Sequence, residues 1–411
     1  MKILYINHYA GSLTHGMEYR PYYLAREWVR SGHQVMIVAS SYTHLRRTNL
    51  EIADGTNYLR QMIDGIIYLW CKTPPYKNNG LKRLINIFTF LKRLRALKSS
   101  LVSEFKPDLV IASSTYPFDA KPAWKIAQAA HARFIFEVHD LWPLTLIEVS
   151  GMSRWHPLIL WMHRAENFAY RNADKVVSLL PKAIDHMCAH GMTRDKFVYI
   201  PNGVASSDWI SNRDKLDYQL QNLFSQLKLV EQRLIIGYAG GMGEANALDF
   251  LLDAFAQLKH LPLALVMVGS GAKREHLEQR VKDEQLDNVY ILGQIGKSQI
   301  PEFLASCDGL YLGWNKLPIY RFGICPNKLF DYMLSGKPIV HSVSAGNDLV
   351  EQANCGISIA AEDVEAIASA FLHMLSLKAE NLQTMGRNGY NFVLSNHEYR
   401  ILATRFLDRV L

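Results

Sequence analysis

The sequence predicts an α/β protein of two doubly wound, parallel-sheet (Rossmann-like) units of similar size. Three observations lead there. The chain has 411 residues, 49% apolar and 20% charged, which is long for one domain and rich enough for two buried cores. Short apolar, β-branched runs alternate with stretches of helical periodicity. That alternation runs twice, on either side of Pro201-Asn202-Gly203 and a polar connector at about 205–232.

In the first series the strand candidates are 3–7, 35–39, 66–71, 109–112, 134–138 and 176–179. Helices fit between most of them, for example 18–30 and 122–130. In the second series the strands read 234–239, 263–268, 289–292, 309–312, 338–340 and 356–359. Helices are expected at about 247–258, 272–284, 298–306 and 327–335, with the last at about 363–375 and 380–411. The expected division is 1–203 and 204–389. No short-period repeat or low-complexity tract interrupts it.

Composition removes several function classes. The net charge of +7 (45 basic against 38 acidic residues) suits an acidic partner such as a nucleotide, a lipid phosphate or a membrane, or is a mildly basic surface without meaning. The five cysteines, Cys71, Cys188, Cys307, Cys325 and Cys355, are widely spaced and show no zinc-ligand pattern or disulfide framework. A reducing cytoplasm is the simplest inference. The chain is expected to carry no signal peptide, and no apolar run of ~18 residues would span a bilayer. There is no H-E-x-x-H, no G-x-S-x-G, no Walker loop, no paired acids of hydrolase type and no basic–aromatic pattern of nucleic-acid binders.

The most informative stretch is 322–340, Phe-Gly-Ile-Cys-Pro-Asn-Lys-Leu-Phe-Asp-Tyr-Met-Leu-Ser-Gly-Lys-Pro-Ile-Val. A glycine turn precedes Pro326, which can start a helix, Gly336 can end it, and an apolar strand follows. The N-terminus of such a helix offers unpaired amides and a positive dipole end, a seat for phosphate. Lys328 adds a full charge in the first turn. Asp331, one turn on, is suited to gripping two vicinal hydroxyls such as a ribose's. Phosphate plus ribose suggests a nucleotide; the alternative for both side chains is exposed helix surface.

Other candidate segments follow strands, where ligands of doubly wound sheets bind. The loop His8 to Arg20 carries Gly11, His15, Gly16, Glu18 and Arg20; its alternative reading is an ordinary connection in which Glu18 starts a helix. Glu137-Val138-His139-Asp140 places a histidine where it can meet a sugar hydroxyl, with Asp140 as a structural partner or cap. Gly240-Gly241-Met242-Gly243 follows a strand and can line a diphosphate. Gly269-Ser270-Gly271 reads as a structural turn. The segment 81–98, from Leu81 to Lys98, has six basic residues and no acidic one. Its cations are interleaved with a broad apolar arc, so it suits a headgroup layer or a helix laid on the sheet with basic stems at its rim. The loop 72–79 before it, with Pro74-Pro75, is expected to be mobile.

The 322–340 stretch resembles the signature of family 4 retaining glycosyltransferases of the GT-B fold, in the bacterial branch that builds O-antigen and capsule sugars. Asn7-His8-Tyr9-Ala10-Gly11, Gly16-Met17-Glu18-Tyr19-Arg20-Pro21, Glu137-Val138-His139-Asp140-Leu141-Trp142-Pro143, Ile200-Pro201-Asn202-Gly203-Val204 and Tyr238-Ala239-Gly240-Gly241 extend the resemblance over nearly the whole chain. It implies two Rossmann-like domains facing across a cleft, acceptor on the N-terminal side and nucleotide sugar on the C-terminal side, with the helix at about 390–411 packing back on the first domain. It implies transfer of a hexosyl or N-acetylhexosaminyl group, with retention, from a nucleotide-diphosphate sugar. UDP is the expected nucleotide of the donor, and the acceptor a lipid-linked saccharide or similar molecule of surface polysaccharide synthesis. No cofactor and no metal are expected.

By that resemblance His139, Lys328 and Asp331 are the catalytic candidates. Gly11, Gly240, Gly241, Gln294, Ile295, Arg321, Gly323, Ile324, Cys325 and Asn327 are donor-side candidates, the backbone at Gln294 and Ile295 reading the base edge. His15, Glu18 and Arg20 are on the acceptor side. Two departures matter. Many relatives carry an Arg directly after the first glycine of the 240 loop and a Lys five residues later, where this chain has Gly241 and Asn246. Of the two signature glutamates, Asp331 stands at the second and Gly323 at the first. The phosphate charge is then expected to fall to Lys328, Arg321 and the amides of Gly240–Gly243, and the sugar hydroxyls to the amides of Phe322–Cys325. A peripheral site on the cytoplasmic membrane's inner face through 81–98 completes the expectation; a catalytically degenerate GT-B-fold scaffold at the membrane is the alternative.

Overall fold

The computed structural model describes residues 1–411 except Arg47, Asn78, Asn79 and Asn212, and except the side chains of Ile210 and Ser211. The end of the loop 72–79 and one residue of the connector therefore lie outside the described residues. The chain divides into one unit of Met1–Asn202 with Tyr399–Leu411 and a second of Gly203–Glu398.

The first unit holds β1 (Lys2–Ile6), β2 (Gln34–Ser40), β3 (Tyr58–Ile63), β4 (Ile66–Cys71), β5 (Leu109–Ala112), β6 (Arg133–Val138), β7 (Lys175–Ser178) and β8 (Phe197–Tyr199). They form one sheet in the order β3-β4-β2-β1-β5-β6-β7-β8. All its pairings are parallel but one: β3 runs antiparallel to β4, with Tyr58 opposite Cys71. Neither β3 nor β8 is among the expected strands. β3 carried a signal: Asp64 and Gly65, both at positive φ, make the two-residue turn that hairpins favour. The central strands are apolar because helices cover both faces: Ile3 to Ile6, Ile37 to Ala39 and Leu109 to Ala112 have no exposed surface, and Met36 only 7%.

The second unit holds β9 (Leu234–Ala239), β10 (Leu263–Val268), β11 (Val289–Leu292), β12 (Gly309–Gly313), β13 (Ile339–Ser342) and β14 (Gly356–Ile359). Their order is β11-β10-β9-β12-β13-β14, parallel throughout. In each sheet the strand order reverses once near the middle, beside β1 and β5 in the first and beside β9 and β12 in the second. Loops leaving those carboxyl ends can enclose a ligand.

The C-terminal segment differs from one helix over 380–411. It is two helices, Ala379–Asn396 and Tyr399–Val410, broken at His397-Glu398. The His397 carbonyl accepts from the Val204 amide (2.9 Å), and the Glu398 carboxylate accepts from the Ser206 amide (3.2 Å), which anchors the break to the second unit. Beyond it Tyr399, Leu402, Ala403, Phe406, Leu407 and Val410 line one helix face and are buried in the first unit. They meet the helix Arg20–Arg30, where Trp28 Nε1 donates to the Ala403 carbonyl (2.9 Å) and Tyr23 stacks on Tyr399 (4.8 Å).

The basic segment 81–98 forms the helix Leu81–Ala96, laid on the first sheet through Asn86, Ile87, Phe90, Leu91 and Leu94. Arg93 Nε donates to the Lys72 carbonyl (2.5 Å), so this cation is part of the packing. Lys82, Lys92 and Arg95 are exposed, together with Leu81 and Ile85. No helix among the described residues is long and apolar enough to cross a membrane.

Candidate active site

In the first unit the site is built on a buried carboxylate. Glu137, the penultimate residue of β6, is fully buried. Arg20 donates to its Oε1 through Nε (3.0 Å) and Nη2 (2.9 Å), and Tyr5 OH (2.5 Å) and Ser113 Oγ (2.6 Å) donate to its Oε2. Burial alone would raise this carboxyl; the Arg20 charge and the hydrogen bonds outweigh it and hold the group well below the usual range.

That anion positions His139. Its Nε2 lies 3.1 Å from Glu137 Oε2 and 3.0 Å from Ser113 Oγ. A carboxylate cannot donate, so Nε2 carries the proton and Nδ1 is the ring's other face. Burial pushes the imidazole down, and Glu137 and Glu18 together overcome it, so His139 titrates above its ordinary value. Glu18, half-buried, is raised by burial, with His139 and Arg20 opposing. Asp140 is raised by burial too. His139, Asp140, Ser114, Thr115 and Trp142 line a small pocket of mixed polarity at the carboxyl ends of β5 and β6.

Three expectations for the 8–20 loop are corrected here. Arg20 does not face an acceptor: it is 1% exposed, and beyond Glu137 its donors go to the carbonyls of Ile200 (3.1 Å) and Pro201 (2.6 Å). Gly11 is buried, with its amide donating to the Glu18 carbonyl (2.8 Å) and its carbonyl accepting from Tyr68 OH (2.6 Å). A Cβ at Gly11 would stand 1.8 Å from the Gly16 carbonyl oxygen, so this glycine permits the fold of the loop rather than offering an amide to a ligand. Glu18 does not start the helix, which begins at Arg20. His15 is nearly buried, its Nδ1 2.7 Å from Ser12 Oγ and its ring against Trp70 (5.1 Å).

In the second unit the helix Asn327–Leu334 starts after Pro326, and Gly336 follows it at a φ of +70°. The amides of Asn327 and Lys328 stand at its N-terminus, where no preceding turn accepts them. Lys328 Nζ reaches the loop after β9, donating to Asn246 Oδ1 (2.5 Å) and Tyr238 OH (3.1 Å) and lying 4.9 Å from the Tyr238 ring centre. Both partners are themselves aimed: Tyr238 OH (2.6 Å) and Asn246 Nδ2 (2.9 Å) donate to the Gly241 carbonyl, which turns their acceptor atoms towards the ammonium. Gly240 holds a φ of +157°, and a Cβ there would stand 3.1 Å from Nζ. Asn246, with Tyr238, thus positions the Lys328 ammonium. Burial lowers Lys328 to about 8.

Asp331 lies three residues on from Lys328, yet the two make no ion pair, because Nζ turns to the Gly240 loop. The Asp331 carboxylate has no hydrogen bond or ion pair among the described residues. Burial raises it to about 7, against the opposing charge of Lys297.

Several donor-side amides are already used. The Gly240 amide donates to Val268 (3.0 Å), Met242 to Ser270 (2.8 Å), Gly323 to Tyr320 (2.9 Å), and Ile324 to Asn347 Oδ1 (2.7 Å). Contrary to expectation, Gly323 and Ile324 therefore do not offer their amides to a sugar, nor Gly240 and Met242 theirs to a phosphate; Asn347 ties the 323–324 turn by also donating to the Ile324 carbonyl (3.1 Å). The turn at Gly269-Ser270-Gly271 is structural, since a Cβ at Gly269 would stand 1.9 Å from the Gly240 carbonyl oxygen. Arg321 is exposed, its Nη1 donating to the Pro318 carbonyl (2.6 Å) and its guanidinium over the Phe322 ring. Asn327 and Gln294 are exposed, and Cys325 and Ile295 pack at the edge of the core.

The family model "Glycosyl transferase 4-like domain" matches residues 15–203 and "Glycosyl transferases group 1" matches residues 233–377. The chain belongs to the GT-B glycosyltransferases. This glycosyltransferase is 23% identical over 373 residues to the putative colanic acid biosynthesis glycosyl transferase WcaI of Escherichia coli, covering 86% of this chain and 88% of that one. It is 19% identical over 318 residues to the probable glycosyltransferase WbjE of Pseudomonas aeruginosa, covering 76% and 75%. In fold it is similar to Anabaena HepE, crystallised in complex with UDP (TM-score 0.68, 16% identity, 99% of each chain). It is similar too to the sucrose-phosphate synthase of Thermosynechococcus elongatus (TM-score 0.72, 16% identity, 99% and 98%).

Proposed function

We propose that this enzyme moves a hexosyl or N-acetylhexosaminyl group, with retention of configuration, from a nucleoside-diphosphate donor to a saccharide or lipid-linked acceptor in bacterial surface polysaccharide synthesis. The observation that carries the reading is Lys328: a partly buried ammonium at the start of a helix, held against the Gly240 loop by Tyr238 and Asn246, with an unpartnered carboxylate at Asp331. A buried cation with no anion of its own is a site for one. UDP is the proposed nucleotide, supported by the fold's likeness to HepE, whose structure contains UDP. The polysaccharide assignment is supported by the relative WcaI, described by its name as a colanic acid biosynthesis enzyme.

In this reading Lys328 and the amides of Asn327 and Lys328 neutralise the departing diphosphate, work that needs no metal on the phosphates. Asp331 takes the ribose hydroxyls. His139, fixed through Nε2 by Glu137, presents Nδ1 and its backbone to the sugar, and Glu18 and His15 stand on the acceptor side. The exposed Lys82, Lys92 and Arg95 beside Leu81 and Ile85 hold the enzyme to the anionic inner face of the cytoplasmic membrane.

The test is thermal unfolding against UDP, GDP, ADP, CMP and dTDP and their sugar conjugates. A ligand at ~100 times its dissociation constant stabilises by about 2.7 kcal/mol. A shift with UDP alone is expected. No shift with any of them, alone or with saccharide acceptors, would leave a degenerate scaffold as the better reading.

A further inference from the structure

Away from the nucleotide site, the first unit gathers three histidines around one buried carboxylate. His163 and Glu166 lie one turn apart on the helix Pro157–Asn172; His186 lies on the helix Ile184–Ala189, and His190 follows it. One ligand atom each from His163, Glu166 and His190 lie within 4.8 Å of one another. Nothing in the glycosyl transfer proposed above uses them.

We propose that His163, Glu166 and His190 bind a zinc ion that clamps the helix Pro157–Asn172 to the 184–190 segment. Glu166 is 1% exposed, so its charge is not met by solvent, and its oxygens lie 3.2 Å from His163 Nδ1 and 3.2 Å from His186 Nε2. The tautomer of His190 is set: its Nδ1 donates to the His186 carbonyl (2.8 Å), which leaves Nε2 as the bare, metal-ready nitrogen. Metal-binding histidines are held in just this way, the second nitrogen donating to a carbonyl or carboxylate. His186 does the same for the carboxylate and acts as a positioning residue.

Two imidazoles and a carboxylate suit zinc and its neighbours cobalt and nickel, and not magnesium or calcium, which take oxygen ligands. Tetrahedral ligands at 2.0–2.1 Å stand about 3.3 Å apart, so occupation draws the trio in by roughly an ångström and releases the proton shared by His163 Nδ1 and Glu166. The fourth position is left to water. Glu166 also borders the pocket lined by His139, so the clamp would stiffen one wall of it.

The test uses the full chain, stripped with a chelator and titrated with Co²⁺, whose visible d–d absorption reports tetrahedral nitrogen–oxygen coordination. Expected are one equivalent bound, displacement by Zn²⁺, and a rise in Tm with Zn²⁺. The H163Q/H190Q variant should lose all three, and H186Q should weaken binding by about 10- to 100-fold. No absorption and no Tm shift with folded wild-type protein would show a hydrogen-bonded cluster only and overturn the proposal. So would equal binding by H163Q/H190Q, or thiolate charge-transfer bands that put the ion on Cys188.

Discussion

The pH dependence of UDP affinity should follow the Lys328 ammonium. The perturbation is a rise from pH 7 to pH 9. Burial places Lys328 at about 8 in the free protein, so roughly nine-tenths of it is charged at pH 7 and about one-tenth at pH 9. A bound diphosphate restores the charge by supplying the missing anion, so binding takes up a proton above pH 8. Affinity then falls about tenfold between the two pH values, about 1.4 kcal/mol. Stability of the free protein moves the other way. A base whose pKa is lowered on folding binds fewer protons folded than unfolded between about 8 and its ordinary 10.5, so stability rises with pH across that window. Isothermal titration with UDP at pH 7, 8 and 9, with Tm at each, reads both trends. Lys328→Met should bind UDP weakly with a flat profile from pH 8 to 9, and its turnover should fall by ~100-fold or more. Asp331 titrates lower, near 7, and its contribution is read from the variant's profile. A flat wild-type profile, or wild-type turnover in Lys328→Met, would refute the assignment.

Asp331→Asn separates function from stability. Its carboxyl, raised on folding, stabilises below the unfolded pKa near 3.8 and loses that contribution as pH rises through about 7. At pH 8 the Asn variant should be more stable by on the order of 1 kcal/mol by chemical denaturation, yet bind UDP more weakly. Arg20→Met leaves Glu137 buried without its cation and should cost about 3–5 kcal/mol in urea unfolding; a cost under ~1 kcal/mol would contradict the buried pair. Gly11→Ala should destabilise the 8–20 loop, seen as faster amide exchange there, because its Cβ meets the Gly16 carbonyl at 1.8 Å. Replacing Lys82, Lys92 and Arg95 with Gln should release the protein from anionic vesicles in a sedimentation assay, and unchanged sedimentation would discard the membrane contact.

The sequence by itself determined the two sheets apart from the edge strands β3 and β8 of the first. Strands such as 66–71 and 234–239 are apolar at every position because both faces are covered, and that pattern needs no partner to be read. It determined the helix after Pro326 and its two charged residues, because Pro, Gly and the polar spacing act locally. The three-dimensional structure decided what long-range packing alone can set. Arg20 and Glu137 are 117 positions apart, so their pairing, and the burial that takes Arg20 from the acceptor side, follow from β1, β6 and the helix Arg20–Arg30 meeting. Lys328 and Asn246 are 82 positions apart, and only the fold shows that Asn246 aims the ammonium. The helix break at His397-Glu398 is likewise set by contacts to Val204 and Ser206, since the local sequence carries no Pro or Gly to mark it. Local chemistry is written in neighbouring residues; charge pairing and desolvation depend on which distant residues become neighbours, and the fold supplies those.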